Sequence, residues 1–325
     1  MLEKKLKVAF IYGKENIFLS GNHFDNTYYH FFMNALKRNK RIEITYFATG
    51  KSFDSSILKN KYDIILLFAK ERFGMPDEIL NMQKQSIPVI SMASDPIVAK
   101  KDLDLHEKWK IDYYFHFYHE SLFYKLYPSD FKFRTIFFGI ETSLYQNVIP
   151  FDKRIKNKIL NTGAIGNPKT PSKFLAYLRS FRWNSYRAYR LRAKCNKLDF
   201  VDYNSTLNHK FVNDRFPQLL QKYCSAIAAT TYTPNMKYWE TLSAGCLTFM
   251  EITHLNQGEK FGFVDGKTSI FINEKNYIKK FEEYLDDVNN PKWQQIASEG
   301  RKFALTNFSN DVGVSKLVQL MKELI

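Results

Sequence analysis

The chain has 325 residues, 45% of them apolar, and its 48 Lys and Arg against 33 Asp and Glu give a net charge of +15. This length is greater than that of a typical domain with one hydrophobic core, and it suits two domains. The basic balance favours an anionic partner, such as nucleotide phosphates, an acidic membrane surface, a glycan or nucleic acid. Three cysteines without a Cys-x-x-Cys pair argue against disulfides or zinc and favour a reducing compartment. The first apolar run is too short for a signal peptide, and none approaches the ~18 residues of a membrane span.

Strand and helix patterns alternate from the amino end. Helical spacing of apolar residues predicts helices over 27–39 and 75–85. Such alternation predicts an α/β fold with a parallel sheet, in which ligands bind beyond the carboxyl ends of the strands. The predicted strands of this half cover residues 6–13, 41–48, 62–69, 87–94, 111–118 and 133–140.

The pattern restarts near residue 150, where Pro150 and a basic cluster predict a linker. We therefore predict two domains, 1–150 and 151–325, each Rossmann-like. Two helices close the chain, and a strand followed by a helix precedes them over 269–288. The other predicted strands are 158–166, 225–231 and 247–252, and the other predicted helices are 171–181, 216–224 and 236–246.

The stretch 230–251, TTYTPNMKYWETLSAGCLTFME, has the clearest chemistry. A strand runs through a Pro-containing loop into a helix that Gly245 ends. A helix N-terminus offers unpaired N–H groups that suit a diphosphate. Lys237 in the first turn opposes the helix dipole, which is easier to understand if an anion binds there. Glu240, one turn on, has the reach to accept hydrogen bonds from two ribose hydroxyls. The alternative is an amphipathic helix with two solvated charges.

This segment resembles the donor-binding motif of GT-B glycosyltransferases, a glycine-containing helix that reads roughly E-x-L-A-x-G-x-x. The wider chain resembles the group related to the spore-coat maturation protein CgeB. The resemblance implies two Rossmann-like domains that face a central cleft, with a C-terminal helix that can return to the N-terminal domain. The matching pieces are T-G-A-I-G at 162–166, F-F-G-I-E-T-S-L-Y at 137–145, K-Y-W-E-T-L-S-A-G-C-L at 237–247 and F-V-D-G at 263–266.

The resemblance also implies a donor site in the C-terminal domain. Glu240 would hold the donor ribose and Lys237 a donor phosphate. The loop with Gly163 and Gly166 would pass close to the diphosphate, because glycine allows backbone approach; a plain turn is the alternative. Tyr232 stands where the common retaining families have a second Glu, eight residues before Glu240. We predict a nucleotide-sugar substrate, a UDP-sugar before others, and no further cofactor.

Candidate catalytic bases follow strands of the N-terminal half. An inverting transferase needs a base that can reach the acceptor hydroxyl. His23 and Asp25 lie in the polar loop after the first strand, and Asp95 follows the fourth strand. Capping or turn formation is the alternative for each. Glu141, near the predicted hinge, is a further candidate to face the cleft.

The sequence predicts no metal site. Asp102 and Asp104 form an Asp-x-Asp pair, the metal-diphosphate signature of the other main glycosyltransferase fold. In that fold the pair should follow directly on an apolar strand, whereas here it lies several residues beyond the fourth strand, on a predicted surface helix. GT-B enzymes usually need no metal, and no cluster of His, Asp and Glu has ligand spacing.

The stretch 179–197 carries seven basic residues and no acid, with Trp183, Tyr186 and Tyr189 between them. Basic and aromatic side chains together suit nucleic-acid backbones and bases, and equally an acidic lipid headgroup or a glycan. A solvated basic face is the alternative. The candidate acceptor- or anion-binding residues are Arg182, Arg187 and Arg190.

Three functions are compatible with these patterns. The first is transfer of a sugar from a nucleotide donor to a glycan, lipid-linked or protein acceptor of a cell envelope. The second keeps the fold and acts on hydroxymethylated bases of DNA. The third is a non-catalytic glycan- or nucleic-acid-binding protein, for which the tyrosine at position 232 is the best support. We expect a cytoplasmic protein, for which a peripheral place at the inner membrane surface is the alternative.

Overall fold

The computed structural model describes residues 4–14, 28–69, 74–94, 99–165, 185–205, 211 and 213–325. The chain divides into two compact units. The first is Met1–Gly139 together with Ser309–Ile325, and the second is Ile140–Phe308. The C-terminal helix thus belongs to the first unit, as the resemblance allows. Residue 150, the predicted domain boundary, lies inside the second unit, and the assignment of donor and acceptor roles to the units stays a prediction.

The first unit is built on a parallel sheet. The strands described in this unit are β1 Leu6–Gly13, β2 Ile42–Thr49, β3 Ser52–Asp54, β4 Ile64–Leu67, β5 Glu78–Leu80, β6 Val89–Met92, β7 Tyr113–His116 and β8 Phe133–Thr135. Six of them form one sheet in the order β2-β1-β4-β6-β7-β8, and every neighbouring pair is parallel. Strands β3 and β5 pair in parallel as a separate ribbon.

The second unit repeats this plan with five strands in its described residues. They are β9 Ile155–Thr162, β10 Val201–Asn204, β11 Tyr223–Ala228, β12 Leu247–Glu251 and β13 Ile270–Ile272. Their order is β10-β9-β11-β12-β13, all parallel. The first strand of each sheet lies between the second and the third, so the strand order reverses beside β1 and beside β9. In such sheets ligands bind at the carboxyl ends of the strands, at this reversal point.

Helices connect the strands, as the alternating pattern predicts. The described α-helices are α1 Tyr28–Arg38, α2 Lys100–His106, α3 Glu120–Phe123, α4 Ser185–Ala188, α5 Arg190–Cys195, α6 Phe216–Leu220, α7 Met236–Ser243, α8 Tyr277–Leu285, α9 Pro291–Asn307 and α10 Asn310–Glu323. None of the helices in these described ranges is both long enough and apolar enough to cross a membrane. The predicted helix 171–181 lies outside the described residues.

One predicted helix is wrong. Residues 75–85 form strand β5 and a 3₁₀ turn over Met82–Lys84 instead of an α-helix. Asn81 adopts a left-handed conformation with φ 60°, which ends any regular helix at that point. Ile79 is buried and pairs with Phe53 of β3, so its burial follows a strand contact rather than a helical face.

Apolar strands place the core of the second unit between its sheet and its helices. Strands buried on both faces carry continuous apolar runs, as parallel sheets require. The core includes Ile159 of β9, Ile227 of β11 and Phe249 of β12, packed with Leu191 of α5 and Phe281 of α8. This packing fixes the carboxyl ends of the three central strands relative to α5.

Candidate functional site

Helix α7 begins just beyond the carboxyl end of β11. Asn235 is its N-cap, and the Asn235 side chain accepts a hydrogen bond from the Lys237 backbone N–H at 3.2 Å. After its last turn, Gly245 adopts φ 73°, a left-handed conformation that ends helices at little cost for glycine. The predicted helix and its glycine stop are confirmed. The N-cap therefore fixes the residue at which α7 begins, and with it the side chains of the first turn.

Lys237 crosses from α7 to the end of β9. Its Nζ donates a hydrogen bond to Thr162 Oγ1 at 2.9 Å. Gly163 has φ 91°, and a Cβ built there would lie 2.5 Å from Lys237 Nζ. The Gly163 backbone is itself engaged, since its N–H donates to the Asn204 carbonyl and its carbonyl accepts from Tyr203 Oη. The missing side chain of Gly163 thus makes room for the ammonium group of Lys237.

Arg192 of α5 reaches the same point from the other side. It is only 1% exposed. Its Nη1 donates to the Ala164 carbonyl at 2.9 Å and its Nη2 to the Ala229 carbonyl at 2.7 Å, so it joins the ends of β9 and β11. The guanidinium lies 4.7 Å from the centre of the Tyr189 ring, a cation–π distance. Its Nε has no hydrogen-bond partner among the described residues.

Two cations therefore flank one glycine. Neither Lys237 nor Arg192 forms an ion pair with a carboxylate in the described part of the chain. Burial, and then the charge of Arg192, lower the pKa of Lys237 to about 7, while Glu240 acts in the opposite direction. Burial also lowers the pKa of Arg192. A buried cation without a counter-charge is costly, and an anion bound between the two groups would offset that cost.

Two acidic side chains complete the electrostatics of the site. Burial raises the pKa of Glu240, in α7, to about 7, against the effect of Lys237. Burial also raises the pKa of Glu251, at the end of β12, to about 7. Glu251 is 2% exposed, and Thr231 Oγ1 lies 3.4 Å from its Oε1, while its Oε2 has no partner among the described residues. Near neutral pH these carboxyl groups therefore only partly balance the two cations.

A hydrogen-bond network holds the ends of β11 and β12 in place. Tyr238 Oη accepts from the Thr230 backbone N–H at 3.0 Å and donates to the Glu251 carbonyl at 2.8 Å. Asn256 Nδ2 donates to the carbonyls of Thr230, at 2.9 Å, and Glu251, at 2.7 Å. These buried contacts make the carboxyl edge of the second sheet rigid before any ligand arrives.

Tyr232 lies in the segment between β11 and α7, as the sequence predicts. The preceding residue, Thr231, donates from its backbone N–H to the Ala188 carbonyl at 3.0 Å and from Oγ1 to the Arg187 carbonyl at 2.8 Å. The segment with Tyr232 is thereby joined to α4. Glu141 is buried, and its Oε1 accepts from Ser143 Oγ at 3.2 Å.

Several predicted site residues cannot be located in this fold, and their roles stay predictions. The ones outside the described residues are His23, Asp25, Asp95, Gly166 and Arg182.

In its described residues, 185–197, the basic stretch is less available than its composition indicates. Arg190 and Lys194 both pair with Glu274, at 3.1 and 2.6 Å. Arg187 is half-buried in α4. Among the described arginines of this stretch, Arg192, which the sequence interpretation did not single out, is the one that reaches Gly163. The sequence pattern could have revealed this residue. Ala188, Leu191, Arg192 and Cys195 occupy positions i, i+3, i+4 and i+7, so Arg192 lies on an otherwise apolar helical stripe.

The Asp-x-Asp pair lies in a helix of the first unit. Asp104 lies exposed in α2, the surface helix predicted for the Asp-x-Asp pair, and not at a strand end. Within the described ranges, no three His, Cys, Asp or Glu side chains are grouped so that they could hold a metal ion.

Known structures share this architecture. No protein-family model and no curated protein sequence matches the chain. Anabaena HepE in complex with UDP has a TM-score of 0.60 at 11% identity, over 98% of this chain and 100% of HepE. An alpha-glucosyltransferase in complex with UDP-glucose and DNA containing an abasic site has a TM-score of 0.58 at 9% identity, over 98% of this chain and 100% of that one.

A third neighbour is sucrose-phosphate synthase from Thermosynechococcus elongatus. Its TM-score is 0.52 at 12% identity, over 83% of this chain and 75% of the synthase. At these identities the likeness shows the fold alone. The chain therefore has the GT-B glycosyltransferase fold, as the sequence predicts, with two sheets of parallel strands. The narrower resemblance to the CgeB group stays a prediction from its motifs.

Proposed function

We propose that this protein is a glycosyltransferase that binds a nucleotide-sugar donor at the carboxyl edge of its second sheet. The observation that carries the proposal is the pair of cations, Lys237 and Arg192, that flanks Gly163 without an ion pair to a carboxylate among the described residues. A pyrophosphate placed between them would accept charge-assisted hydrogen bonds from both groups, which are stronger than neutral ones. The site lies at the reversal point of the strand order, where α/β sheets bind ligands.

In this proposal each residue has a distinct task. Lys237 and Arg192 bind the diphosphate and stabilise the negative charge that grows on it as the bond to the sugar anomeric carbon breaks. Glu240, one helical turn beyond Lys237, accepts hydrogen bonds from the ribose hydroxyls. The acceptor hydroxyl forms the new bond to the sugar and gives its proton to a base. His23, Asp25 and Asp95 remain the candidates for that base.

The donor we propose is a UDP-sugar. HepE and the alpha-glucosyltransferase, which share the fold across nearly the whole chain, were solved with UDP or UDP-glucose. The acceptor we propose is a glycan, a lipid-linked sugar or a protein of a cell envelope, and the reaction needs no metal. Two fixed cations that stabilise the leaving diphosphate are compatible with a reaction that uses no metal ion.

DNA is the second candidate acceptor, because one structural neighbour is described in complex with DNA. The pairing of Arg190 and Lys194 with Glu274 argues against it, since these side chains are then less available to phosphates. Retention on DNA that falls steeply with salt would favour this candidate. Acceptor binding without donor turnover would favour a non-catalytic binding protein.

Thermal unfolding in the presence of nucleotides tests the donor site. The panel contains UDP, GDP, CMP, dTDP and their sugars, with wild type and Arg192→Gln, and Arg215→Gln as the matched control. Ligand at a hundred times its dissociation constant should add roughly 2.7 kcal/mol to the free energy of unfolding. We expect a response to uridine nucleotides that Arg192→Gln loses and Arg215→Gln keeps. If no nucleotide changes the unfolding temperature, the proposal is wrong.

A further inference from the structure

The first sheet carries a separate charge pattern at its amino edge, where its strands begin. Each of its six parallel strands is entered from a segment with basic side chains. Because the amino ends of parallel strands meet at one edge, these side chains lie together there. Nine are exposed lysines, and the tenth, Arg41, is partly exposed. This set, which we name the basic edge, consists of Lys4, Lys5, Lys40, Arg41, Lys59, Lys61, Lys84, Lys108, Lys110 and Lys132.

Few acids oppose the basic edge. The same six segments contain five, Glu3, Asp63, Glu107, Asp112 and Asp130. Two of these already accept backbone hydrogen bonds, Asp63 from Lys7 N at 2.8 Å and Asp112 from Val89 N at 2.7 Å. The first unit as a whole has 23 Lys and Arg against 18 Asp and Glu. The basic edge, with ten against five, therefore accounts for the whole positive excess of its unit.

Two exposed aliphatic side chains lie on the flank that leads to the basic edge. Ile57 is 48% exposed and Leu80 is 42% exposed. Ser55 Oγ donates to the Leu80 carbonyl at 2.7 Å, which holds the turn with Ile57 against strand β5. Ile57 comes two residues before Lys59, and Leu80 four residues before Lys84. Large aliphatic groups beside lysines suit the boundary between lipid headgroups and acyl chains.

We propose that the basic edge is a docking surface for an anionic lipid bilayer, with Ile57 and Leu80 entering the headgroup region. Each lysine close to such a surface strengthens binding by roughly fivefold, so even part of this set gives strong attraction. Nucleic acid fits less well, because its phosphates offer nothing to the two aliphatic side chains. The proposal does not depend on the donor site, which lies in the other unit.

Sedimentation of the full chain with lipid vesicles tests this surface. One set of vesicles is pure phosphatidylcholine, and the other contains one part in three of phosphatidylglycerol. We expect the protein to sediment with the anionic vesicles alone, and to be released by added salt because exposed charges are screened. Binding to both vesicle types alike, or to neither, would overturn the proposal.

Matched variants separate this surface from net charge. The test variant carries Lys59→Gln, Lys61→Gln, Lys108→Gln and Lys132→Gln, and the control carries Lys267→Gln, Lys275→Gln, Lys279→Gln and Lys302→Gln, four exposed lysines of the second unit. We expect the vesicle affinity of the test variant to fall at least tenfold, and that of the control to fall much less. An equal loss in both contradicts the proposal.

The aliphatic pair and the alternative partner need their own measurements. Ile57→Ser with Leu80→Ser should weaken vesicle binding and leave retention on short duplex DNA unchanged. If the four test substitutions abolish DNA retention while vesicle binding is unaffected, the surface belongs to a nucleic acid and the bilayer proposal fails. Unchanged thermal unfolding temperatures of all variants confirm that each still folds.

Discussion

The carboxyl edge of the second sheet and the amino edge of the first sheet both concentrate positive charge, by opposite means. At the carboxyl edge Arg192 is fully buried and Lys237 partly so, and each is held by fixed hydrogen bonds. At the amino edge nine lysines are exposed and Arg41 is partly exposed, and of these Arg41 and Lys110 donate to the backbone carbonyls of Ser315 and Gln85. Burial shifts the pKa values of Lys237, Glu240 and Glu251 at the carboxyl edge.

The difference shows that the number of charges is a poor guide to specificity. Desolvated charges act strongly at short range and demand one shape of ligand, while exposed charges are screened within about a Debye length and accept many anions. Two buried cations can therefore define a site that ten exposed ones cannot. The predictions below test this contrast, starting with the change that should matter most.

Replacing one buried cation should remove nucleotide binding. In Lys237→Met we expect nucleotide affinity to fall by roughly 2–3 kcal/mol, the value of a hydrogen bond to a charged group. The unfolding temperature without ligand should not fall, since the substitution also removes a cation crowded by Arg192. Calorimetric titration and thermal unfolding measure both quantities. Lys59→Gln, at the exposed edge, is the control and should change neither; a full nucleotide response in Lys237→Met would sink this assignment.

Adding a single methyl group at Gly163 should disturb the same site. Gly163→Ala places a Cβ against Lys237 Nζ and forces φ 91° on an alanine, so both stability and nucleotide affinity should fall. Gly266 is a matched control, because it has φ 69° with nothing within 4 Å of a Cβ. Gly266→Ala should lose only the roughly 1–2 kcal/mol of left-handed strain and keep its affinity. Equal losses of affinity in both variants would show that strain alone is responsible.

Nucleotide affinity should fall as pH rises through about 7, because Lys237 loses its proton there. Its folded pKa lies below the ordinary value, so the free protein gains stability as pH rises above about 7. Glu251 has its pKa raised to about 7. Its contribution to the stability of the free protein therefore falls as pH rises from the ordinary Glu range towards 7. A nucleotide sugar is the probe, since its pyrophosphate keeps a constant charge. The pH dependence of affinity should persist in Glu240→Gln and disappear in Lys237→Met.

The smallest effect should come from the exposed pairs of the basic stretch. Glu274→Gln removes the shared partner of Arg190 and Lys194, both largely exposed. Exposed ion pairs contribute about 0–1 kcal/mol, so the unfolding temperature should change little and nucleotide affinity not at all. A clear loss of affinity, measured by the same titration, would mean that this surface belongs to the donor site.

Sequence patterns predicted local features well and the assembled site in part. Helix α7 was predicted from the Pro-containing loop before it and from Gly245 after it, and the structure adds Asn235 as its N-cap. The helix expected over 75–85 failed because Ile79 is buried by its pairing with β3, while its strand neighbours Glu78 and Leu80 are exposed. The contact between Lys237 and Thr162 joins residues 75 positions apart, and no local pattern predicts such a pair. Arg192 was missed because the basic stretch was interpreted by its composition and not by the face each side chain occupies.

The return of helix α10 to the first unit has a consequence for protein synthesis. Asn310 Oδ1 accepts from the Gly139 backbone N–H at 2.7 Å, and Asp311 forms an ion pair with Arg38 at 2.7 Å. The second unit is continuous in sequence, so all of its residues are synthesised before those of α10. The first unit, although its sheet is translated first, must wait for residues 309–325. The second unit therefore has its full set of residues before the first, and its folding is expected to be completed first.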